Sequence, residues 1–464
     1  METKKSIGKT KPEYSYSEFF MKIALITCNF ETDNPYEELH NDVYENLGIG
    51  SIAALLRQHK FEIEIYNCAM QGIGNRQLVQ HIKEKNYTLL GFYTNSANID
   101  NTLKVVSALP ESIHKCIGGY SATLFPKQLL QLPFVDSVIV GQGEYPFLKL
   151  AKKLKKFQNI NNIPQLLMKN KMDGIVEPIP IDLNDLPNPS RDELYLKMAL
   201  LDPRTGNRYR SALVSSSRNC SYNCSFCYVK KFYKRSNITE IEYRDPISIV
   251  NEIEDLVKGD LKINHIWFVD DDFIGNNKKR ARLIAEKIIE KGIKIRIDID
   301  TRANNIEYEL FLYLKKAGFT TVFIGIESFS QAMLERLNKK NSVQANIRAL
   351  NILKQLDIRY IIGMIFFDEK TTLEELYSSL AFAKIYGFEN VNDIIRLVKS
   401  YPKYNETVEH IPIDTIVRKI YFEIKQLHHH KFNRLKNIKH ISAQALNNMK
   451  KEIGNRLLER VRLL

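Results

Sequence analysis

The chain reads as an α/β protein. A doubly wound, Rossmann-like parallel sheet comes first, then a partial (β/α)6 barrel of the TIM type, then a helical C-terminal region. Two observations predict this. Short apolar runs alternate with segments of helical periodicity from residue 22 to residue 386, the pattern of parallel strands joined by crossover helices. A Pro-rich stretch with Pro178, Pro180, Pro187, Pro189 and Pro203 interrupts that alternation once and divides it into two series. The expected domains are therefore a flexible lead over 1–20, a first sheet domain over 21–158, a linker over 159–205, a barrel over 206–398 and a helical domain over 399–464.

In the first series, strands are expected over 22–27, 61–66, 89–94, 113–117 and 135–140. Helices are expected over 46–59, 76–85, 101–109, 127–131 and 145–156. Parallel sheets bind ligands at the C-terminal ends of their strands, and glycines gather there: Gly72 and Gly74, Gly118 and Gly119, Gly141 and Gly143. Glycine lets a backbone turn with positive φ or approach a ligand closely. Thr94, Asn95 and Ser96 put polar groups after the middle strand. The spaced G-x-G-x-x-G of a dinucleotide site is absent, so turns account equally well for the glycines.

The second series begins with a strand over 211–217 and continues with strands over 263–269, 293–299, 320–326, 358–364 and weakly over 391–397. Helices are expected over 246–257, 277–291, 306–317, 343–356 and 371–386. Right-handed crossovers would curl six such repeats into a partial barrel with its chemistry at the C-terminal mouth.

Composition narrows the class. A chain of 464 residues with 44% hydrophobic and 26% charged residues suits a soluble protein of two or three domains. No apolar run reaches the length of a membrane span, and residues 1–11 are polar with no apolar signal core behind them, so the cytoplasm is expected. Six cysteines in so long a chain argue for ligands in a reducing compartment, not disulfides. The net charge of +13 is uneven: residues 401–464 hold 13 Lys+Arg and 6 Asp+Glu. Such a tail suits a solvated helix face or an acidic partner, and nucleic acid is not expected. His428, His429 and His430 within it read as a solvated turn, because adjacent helical residues point in different directions.

Half of the cysteines fall in Cys220-Ser-Tyr-Asn-Cys224-Ser-Phe-Cys227. The spacing C-x3-C-x2-C suits three thiolates around one face of an iron–sulfur cluster. A structural zinc site would need a fourth Cys or His at knuckle spacing, and none follows. Three ligands to a four-iron cluster leave one iron open to bind a small molecule and pass it an electron. The loop follows the first strand of the second series, which puts it at the expected barrel mouth.

With Tyr228 directly after the last cysteine, this motif resembles that of the radical S-adenosylmethionine (SAM) enzymes. The resemblance implies a [4Fe–4S] cluster on Cys220, Cys224 and Cys227. It also implies SAM on the open iron and reductive cleavage of SAM to a 5′-deoxyadenosyl radical that takes hydrogen from unreactive carbon. Phe268-Val-Asp-Asp-Asp-Phe273, Arg302 and Gly325-Ile-Glu-Ser328, with Lys316-Ala-Gly318 before the last, stand at the matching strand ends. By resemblance, Tyr228 belongs to the cofactor site and Asp270 or Asp271 lies near the SAM amino group. Arg302 would meet the SAM carboxylate and Glu327 its ribose or amino end. The segment 363–372 lacks the second Gly and the Pro of the family's turn before Glu-Thr.

The first domain resembles the cobalamin-binding domains fused to such enzymes. The likeness lies in residues 46–57, in Gly118-Gly-Tyr-Ser-Ala-Thr-Leu-Phe-Pro126 and in residues 135–144. It implies cobalamin as a further cofactor, its tail near Thr94, Ser96, Gly118, Gly119, Gly141 and Gly143. Asn46, Asn67 and Tyr120-Ser121 depart from the family pattern, and there is no D-x-H-x-x-G signature. His40 is a candidate lower ligand, although a surface histidine fits its loop as well, and the cobalt is expected to have no protein ligand below.

The activity this implies is C-methylation of an unactivated carbon on a small-molecule or peptide substrate, with electrons from a donor such as flavodoxin or ferredoxin. Three alternatives stand beside it. One is a non-methylating rearrangement or cyclisation. One is a methylthiotransferase with a second cluster on Cys28, Cys68 and Cys116. The last is a cobalamin or redox sensor without catalysis.

Overall fold

A computed structural model describes residues 21–29, 45–170, 177–192, 200–201, 208–365 and part of 370–386. The lead, His40, the expected strand over 391–397, the helical domain over 399–464 and His428–His430 lie outside the described residues.

Two mainly parallel sheets carry the fold. The first has six strands: β1 (Lys22–Thr27), β2 (Glu62–Asn67), β3 (Leu89–Thr94), β4 (His114–Gly119), β5 (Ser137–Ile139) and β6 (Leu166–Leu167). They lie in the order β2-β1-β3-β4-β5-β6, all parallel except β6, which runs against β5. The strand order reverses between β1 and β3, so the ends of these two strands flank the crevice where doubly wound sheets hold ligands. The second sheet contains β9 (Ser211–Val214), β12 (His265–Phe268), β13 (Arg296–Arg302), β14 (Phe319–Glu327) and β15 (Arg359–Met364), in the order β15-β14-β13-β12-β9. The shorter strands β7 (Leu200–Leu201), β8 (Arg208–Tyr209), β10 (Ser217–Arg218) and β11 (Glu242–Tyr243) form two antiparallel pairs, β7 with β8 and β10 with β11. Five of the six expected strands of this series are therefore seen, and the sixth lies outside the described residues.

The described residues pack as two compact units: those within Met1–Asn219, Val229–Val269 and Ile293–Ile295, and those within Cys220–Tyr228, Asp270–Gly292 and Arg296–Leu464.

In the first unit, helices α1 (Leu47–Gln58), α2 (Cys68–Gln71), α3 (Asn75–Glu84), α4 (Ile99–Ser107), α5 (Tyr120–Leu124), α6 (Pro126–Leu130) and α7 (Glu144–Lys155) connect or flank the first sheet. Its core includes Ile26, Leu78, Ile82, Phe92, Val106 and Ile117, all nearly or fully inaccessible. Two departures from the family pattern have local work to do. The Asn46 side chain accepts from the Ile49 N–H at 3.1 Å, capping α1, and donates to Thr27 Oγ1 at 3.1 Å. Asn67 caps α2 in the same manner, accepting from the Met70 N–H at 3.4 Å. The linker is tied down by buried charge: Arg191 meets Glu45 at 2.9 Å and Glu252 at 2.8 Å, and Arg244 meets Glu252 at 2.6 Å.

The second unit contains β13, β14 and β15 with helices α10 (Lys278–Glu290), α11 (Tyr308–Lys316), α12 (Gln331–Arg336) and α13 (Val343–Gln355). Helices α8 (Tyr228–Arg235) and α9 (Pro246–Lys258) precede these in the chain. Its core is built of Ile297, Ile299, Phe319, Val322, Ile324, Leu350 and Leu353. Among the described residues no helix is long and apolar enough to cross a membrane.

Candidate active site

The cysteine loop is held at both sides by backbone polar groups. The Ser225 N–H donates to the Leu337 carbonyl at 2.9 Å, and Asn338 Nδ2 donates to the Asn223 carbonyl at 2.6 Å. Phe226 packs on Met333, Leu337 and Ile365, giving the loop a small apolar footing. Cys220, Cys224 and Cys227 are all free thiols; Cys224 is buried and the other two are half-buried. Tyr228 directly follows Cys227 and opens α8, half-buried. Burial pushes the Cys220 thiol up, as do Asp272 and Asp271, while the Tyr222 backbone and Arg302 work the other way.

The strand ends add charge. Asp270 and Asp272 are both buried, and Asp272 accepts from Thr301 Oγ1 at 2.7 Å and from Asn305 Nδ2 at 2.9 Å. Solvent touches Asp271. Protein nevertheless encloses it closely enough that burial, and then Asp270 and Asp272, push its pKa up to about 7. Of the two aspartates expected at the SAM amino group, Asp271 is the one that faces outward.

Glu327 closes β14 with φ of 62°, a left-handed conformation that is rare for any residue but glycine. The strand register shifts at this point, between Gly325 and Glu327. Backbone strain of this kind persists only where its surroundings enforce it, and it gathers at functional sites. Glu327 Oε1 accepts from Lys339 Nζ at 2.7 Å, with both side chains largely buried. Gly325 makes the room: a Cβ there would stand 2.7 Å from Lys339 Nζ and 2.8 Å from Glu327 Oε1.

Arg302 ends β13 at 5% exposure. Its Nη1 donates to Cys224 Sγ at 3.3 Å, and its guanidinium carbon lies 3.6 Å from the centre of the Tyr222 ring. Its Nη2 meets the Lys339 carbonyl, and its Nε has no hydrogen-bond partner among the described residues. The two terminal nitrogens of Arg302, the residue expected at the SAM carboxylate, meet the cysteine loop and the Lys339 backbone in this structure.

Lys339, Tyr222 and Asn304 were not singled out from sequence. Lys339 lies in Asn338-Lys-Lys-Asn341, which reads as a solvated turn, and only the tertiary packing buries it. Tyr222 lies between two cysteines, and that position was the signal that could have found it.

The edge of the first sheet is different. Thr94 is fully buried and its hydroxyl donates to the Gly118 carbonyl at 2.8 Å, so its side chain does not face the crevice as expected. A Cβ on Gly119 would stand 2.6 Å from the Thr94 carbonyl oxygen; this glycine, with φ of 94°, serves close strand packing. Gly141 packs against Ser236, and a Cβ on Gly143 would stand 3.0 Å from Ile52. Three of the four glycines expected at a cofactor thus answer to internal packing. Gly118 does not: among the described residues a Cβ there would find nothing nearer than the Phe92 carbonyl oxygen at 4.0 Å. Ser96 is exposed after β3. This open cradle at the strand ends, beside the crevice, fits a bulky planar cofactor approaching the backbone.

Cys28, Cys68 and Cys116 are each 1% exposed. Cys28 and Cys68 share a hydrogen bond, which holds the Cys28 thiol down and pushes Cys68 up. Cys116 pairs across β3 through Gly91 with Leu25, three residues before Cys28, and burial pushes it up to about 12. That offset separates it from the other two by about 10 Å along the strands, at roughly 3.3 Å per residue. The three do not converge as a second cluster site would require.

The sequence profile of the radical SAM superfamily matches residues 214–383, and that of the B12 binding domain matches residues 40–151. An uncharacterized methyltransferase of Pyrococcus horikoshii is 27% identical over 374 residues, spanning 78% of each chain. A hopanoid C-3 methylase of Methylococcus capsulatus is 27% identical over 335 residues, 69% of this chain and 61% of its own. An anaerobic magnesium-protoporphyrin IX monomethyl ester cyclase of Cereibacter sphaeroides is 28% identical over 295 residues, 60% of this chain and 46% of its own. The solved cobalamin-dependent SAM radical enzyme OxsB superposes with a TM-score of 0.66 at 20% identity, over 78% of this chain and 52% of its own. The SAM radical methyltransferase TsrM of Kitasatospora setae does so with 0.63 at 14% identity, over 79% and 73%. These two share the fold, and the chain spans about half the length of OxsB and of the cyclase. The two matched segments, in this order on one chain, place it among the cobalamin-dependent radical SAM enzymes, whose cofactors are a [4Fe–4S] cluster, SAM and cobalamin.

Proposed function

We propose that the protein is a C-methyltransferase acting on an unactivated carbon of a small molecule. The observation that carries this reading is the relative matched over 78% of both chains, which is described as a methyltransferase. When bound, the cluster and SAM supply a carbon-centred radical that takes hydrogen from substrate, and cobalamin supplies a methyl group for transfer.

The chain's own residues have defined tasks in this proposal. Cys220, Cys224 and Cys227 ligate the cluster as thiolates on a loop footed by Phe226. Asp271 accepts from the SAM ammonium, and that cation favours the ionised carboxylate that burial and its neighbours oppose. Glu327 keeps Oε1 on Lys339 and offers its second oxygen to a ribose hydroxyl. Gly118 leaves the backbone bare for the corrin side of cobalamin, and Ser96 offers a hydroxyl to its tail. A one-electron protein donor of flavodoxin or ferredoxin type supplies reducing equivalents.

The test uses methyl-labelled SAM with the anaerobically reconstituted holoenzyme and a reductant. Label in the corrinoid fraction is the expected result. Accumulation of 5′-deoxyadenosine with all label left in SAM or methionine overturns methyl transfer. It would favour a non-methylating rearrangement or cyclisation, the reading that the cyclase relative supports.

A further inference from the structure

We propose that Arg302 is a positioning residue for electron entry: its guanidinium, clamped by Tyr222, hydrogen-bonds the Cys224 sulfur and raises the reduction potential of the cluster. The inference rests on the cysteine triad being the cluster site.

Three observations converge. First, Arg302 is a buried cation with no carboxylate partner among the described residues, whereas the neighbouring cation Lys339 is neutralised by Glu327. An uncompensated buried charge is costly, so such a group persists where an anion completes the site. Its Nη1 reaches the Cys224 sulfur at 3.3 Å, which is anionic once it ligates the cluster.

Second, the guanidinium is not free to swing away. It stacks on Tyr222, a residue of the cysteine loop itself, at 3.6 Å from the ring centre, within cation–π range. Asn304 Nδ2 donates to the Tyr222 hydroxyl at 3.3 Å and braces the ring from the segment just past β13. Nη2 is fixed on the Lys339 carbonyl. Arginine's planar fork suits this three-sided clamp, and a lysine would lose both the stack and the second donor.

Third, the direction of the effect follows from charge. With three thiolates the oxidised cluster is already negative, and one electron from a low-potential reductant adds a further negative charge with no proton taken up. A fixed positive charge and an N–H donor on a ligating sulfur stabilise the reduced form more than the oxidised form, one of the established levers on iron–sulfur potentials.

The experiment is an EPR-monitored redox titration of the anaerobically reconstituted full chain, without SAM, with dithionite as reductant and iron counted per chain. Arg302→Gln should load the wild-type amount of iron but titrate lower, with about a tenfold smaller reduction equilibrium constant, roughly 59 mV for a one-electron couple. Arg302→Lys should fall between the two. Tyr222→Leu, which removes the clamp and keeps the charge, should shift the potential in the same direction by less, and it carries the test if the Gln variant fails to hold iron. An unchanged potential in an iron-replete Arg302→Gln protein overturns the inference. So does an unchanged potential in Tyr222→Leu where the Gln variant holds no iron. In a separate SAM-binding titration of the same iron-replete Arg302→Gln protein, a rise in the SAM dissociation constant alongside an unchanged potential would overturn the inference and return Arg302 to the SAM carboxylate. Wild-type protein that binds no iron would sink the cysteine reading itself, a failure distinguishable from all of these.

Discussion

The two strand-end regions proposed to serve cofactors are built on opposite plans. In the first sheet the ends of β3 and β4 are made of backbone: glycines packed against neighbouring chain, one hydroxyl turned inward, and a single bare position at Gly118. In the second unit the strand ends are made of charge: an enclosed aspartate, a carboxylate held in a left-handed conformation, a buried lysine and a buried arginine aimed at a sulfur. The difference matches the ligands proposed for each: a large, mostly neutral corrinoid face would be met by space, whereas SAM and an iron–sulfur cluster carry charges that need fixed partners.

The largest expected effect that tests this contrast is at the cysteines. Serine at any one of Cys220, Cys224 or Cys227 should abolish 5′-deoxyadenosine formation and lower iron content, while corrinoid binding by the first sheet stays intact. Loss of corrinoid binding in these variants would mean that the two regions are not independent.

Next is the Glu327–Lys339 pair. Glu327→Ala should destabilise the protein by about 3 kcal/mol in a denaturant titration, because it strands a buried ammonium. Adding Lys339→Ala should recover part of that loss. A double variant whose loss equals the sum of the two single-variant losses would show that the pair is not coupled.

A smaller effect separates two adjacent glycines. Gly119→Ala should cost roughly 1–3 kcal/mol, since its Cβ would press on the Thr94 backbone at a positive φ. Gly118→Ala should leave stability within about 0.5 kcal/mol, and Gly118→Leu should weaken corrinoid affinity about tenfold in spectroscopic titration. The reverse ranking would place the cofactor elsewhere.

The smallest effect is in pH dependence. The folded pKa of Asp271, about 7, lies above the ordinary carboxylate value. Its proton therefore favours the folded state at low pH, and that contribution fades as pH rises through about 7. Asp271→Asn should flatten the stability profile of the cofactor-free protein in that window. An unchanged profile would place the carboxylate in open solvent, outside the enclosed site proposed for it.

How much of this could be read in advance varies by region. The strands of both series that fall among the described residues lay within a few residues of their expected positions, because apolar runs between helical segments have few other solutions in a chain this long. The cysteine triad was legible because its spacing has no use in a hydrophobic core. The acidic strand ends were legible as candidates, but Asp270, Asp271 and Asp272 look alike in a row. Packing made one of them outward-facing, buried another, and bound the third to Thr301 and Asn305. The glycines misled in part, since Gly119, Gly141 and Gly143 satisfy chain packing that no local pattern reveals. Likewise Asn46 and Asn67, which depart from the family pattern, turned out to be helix caps.

The sequence by itself determined the alternation of strand and helix, the spacing of the three thiolates and the presence of charge at the strand ends. These are local properties, set by side-chain period and residue type. Tertiary structure alone decided that Lys339 is buried against Glu327, that Tyr222 stacks on Arg302 and that Arg302 reaches Cys224. These contacts join residues 12 and 78 positions apart for Lys339–Glu327 and Arg302–Cys224. Such pairings depend on how strands and loops are stacked, and burial is what turns an ordinary lysine or arginine into a charge that must find a partner.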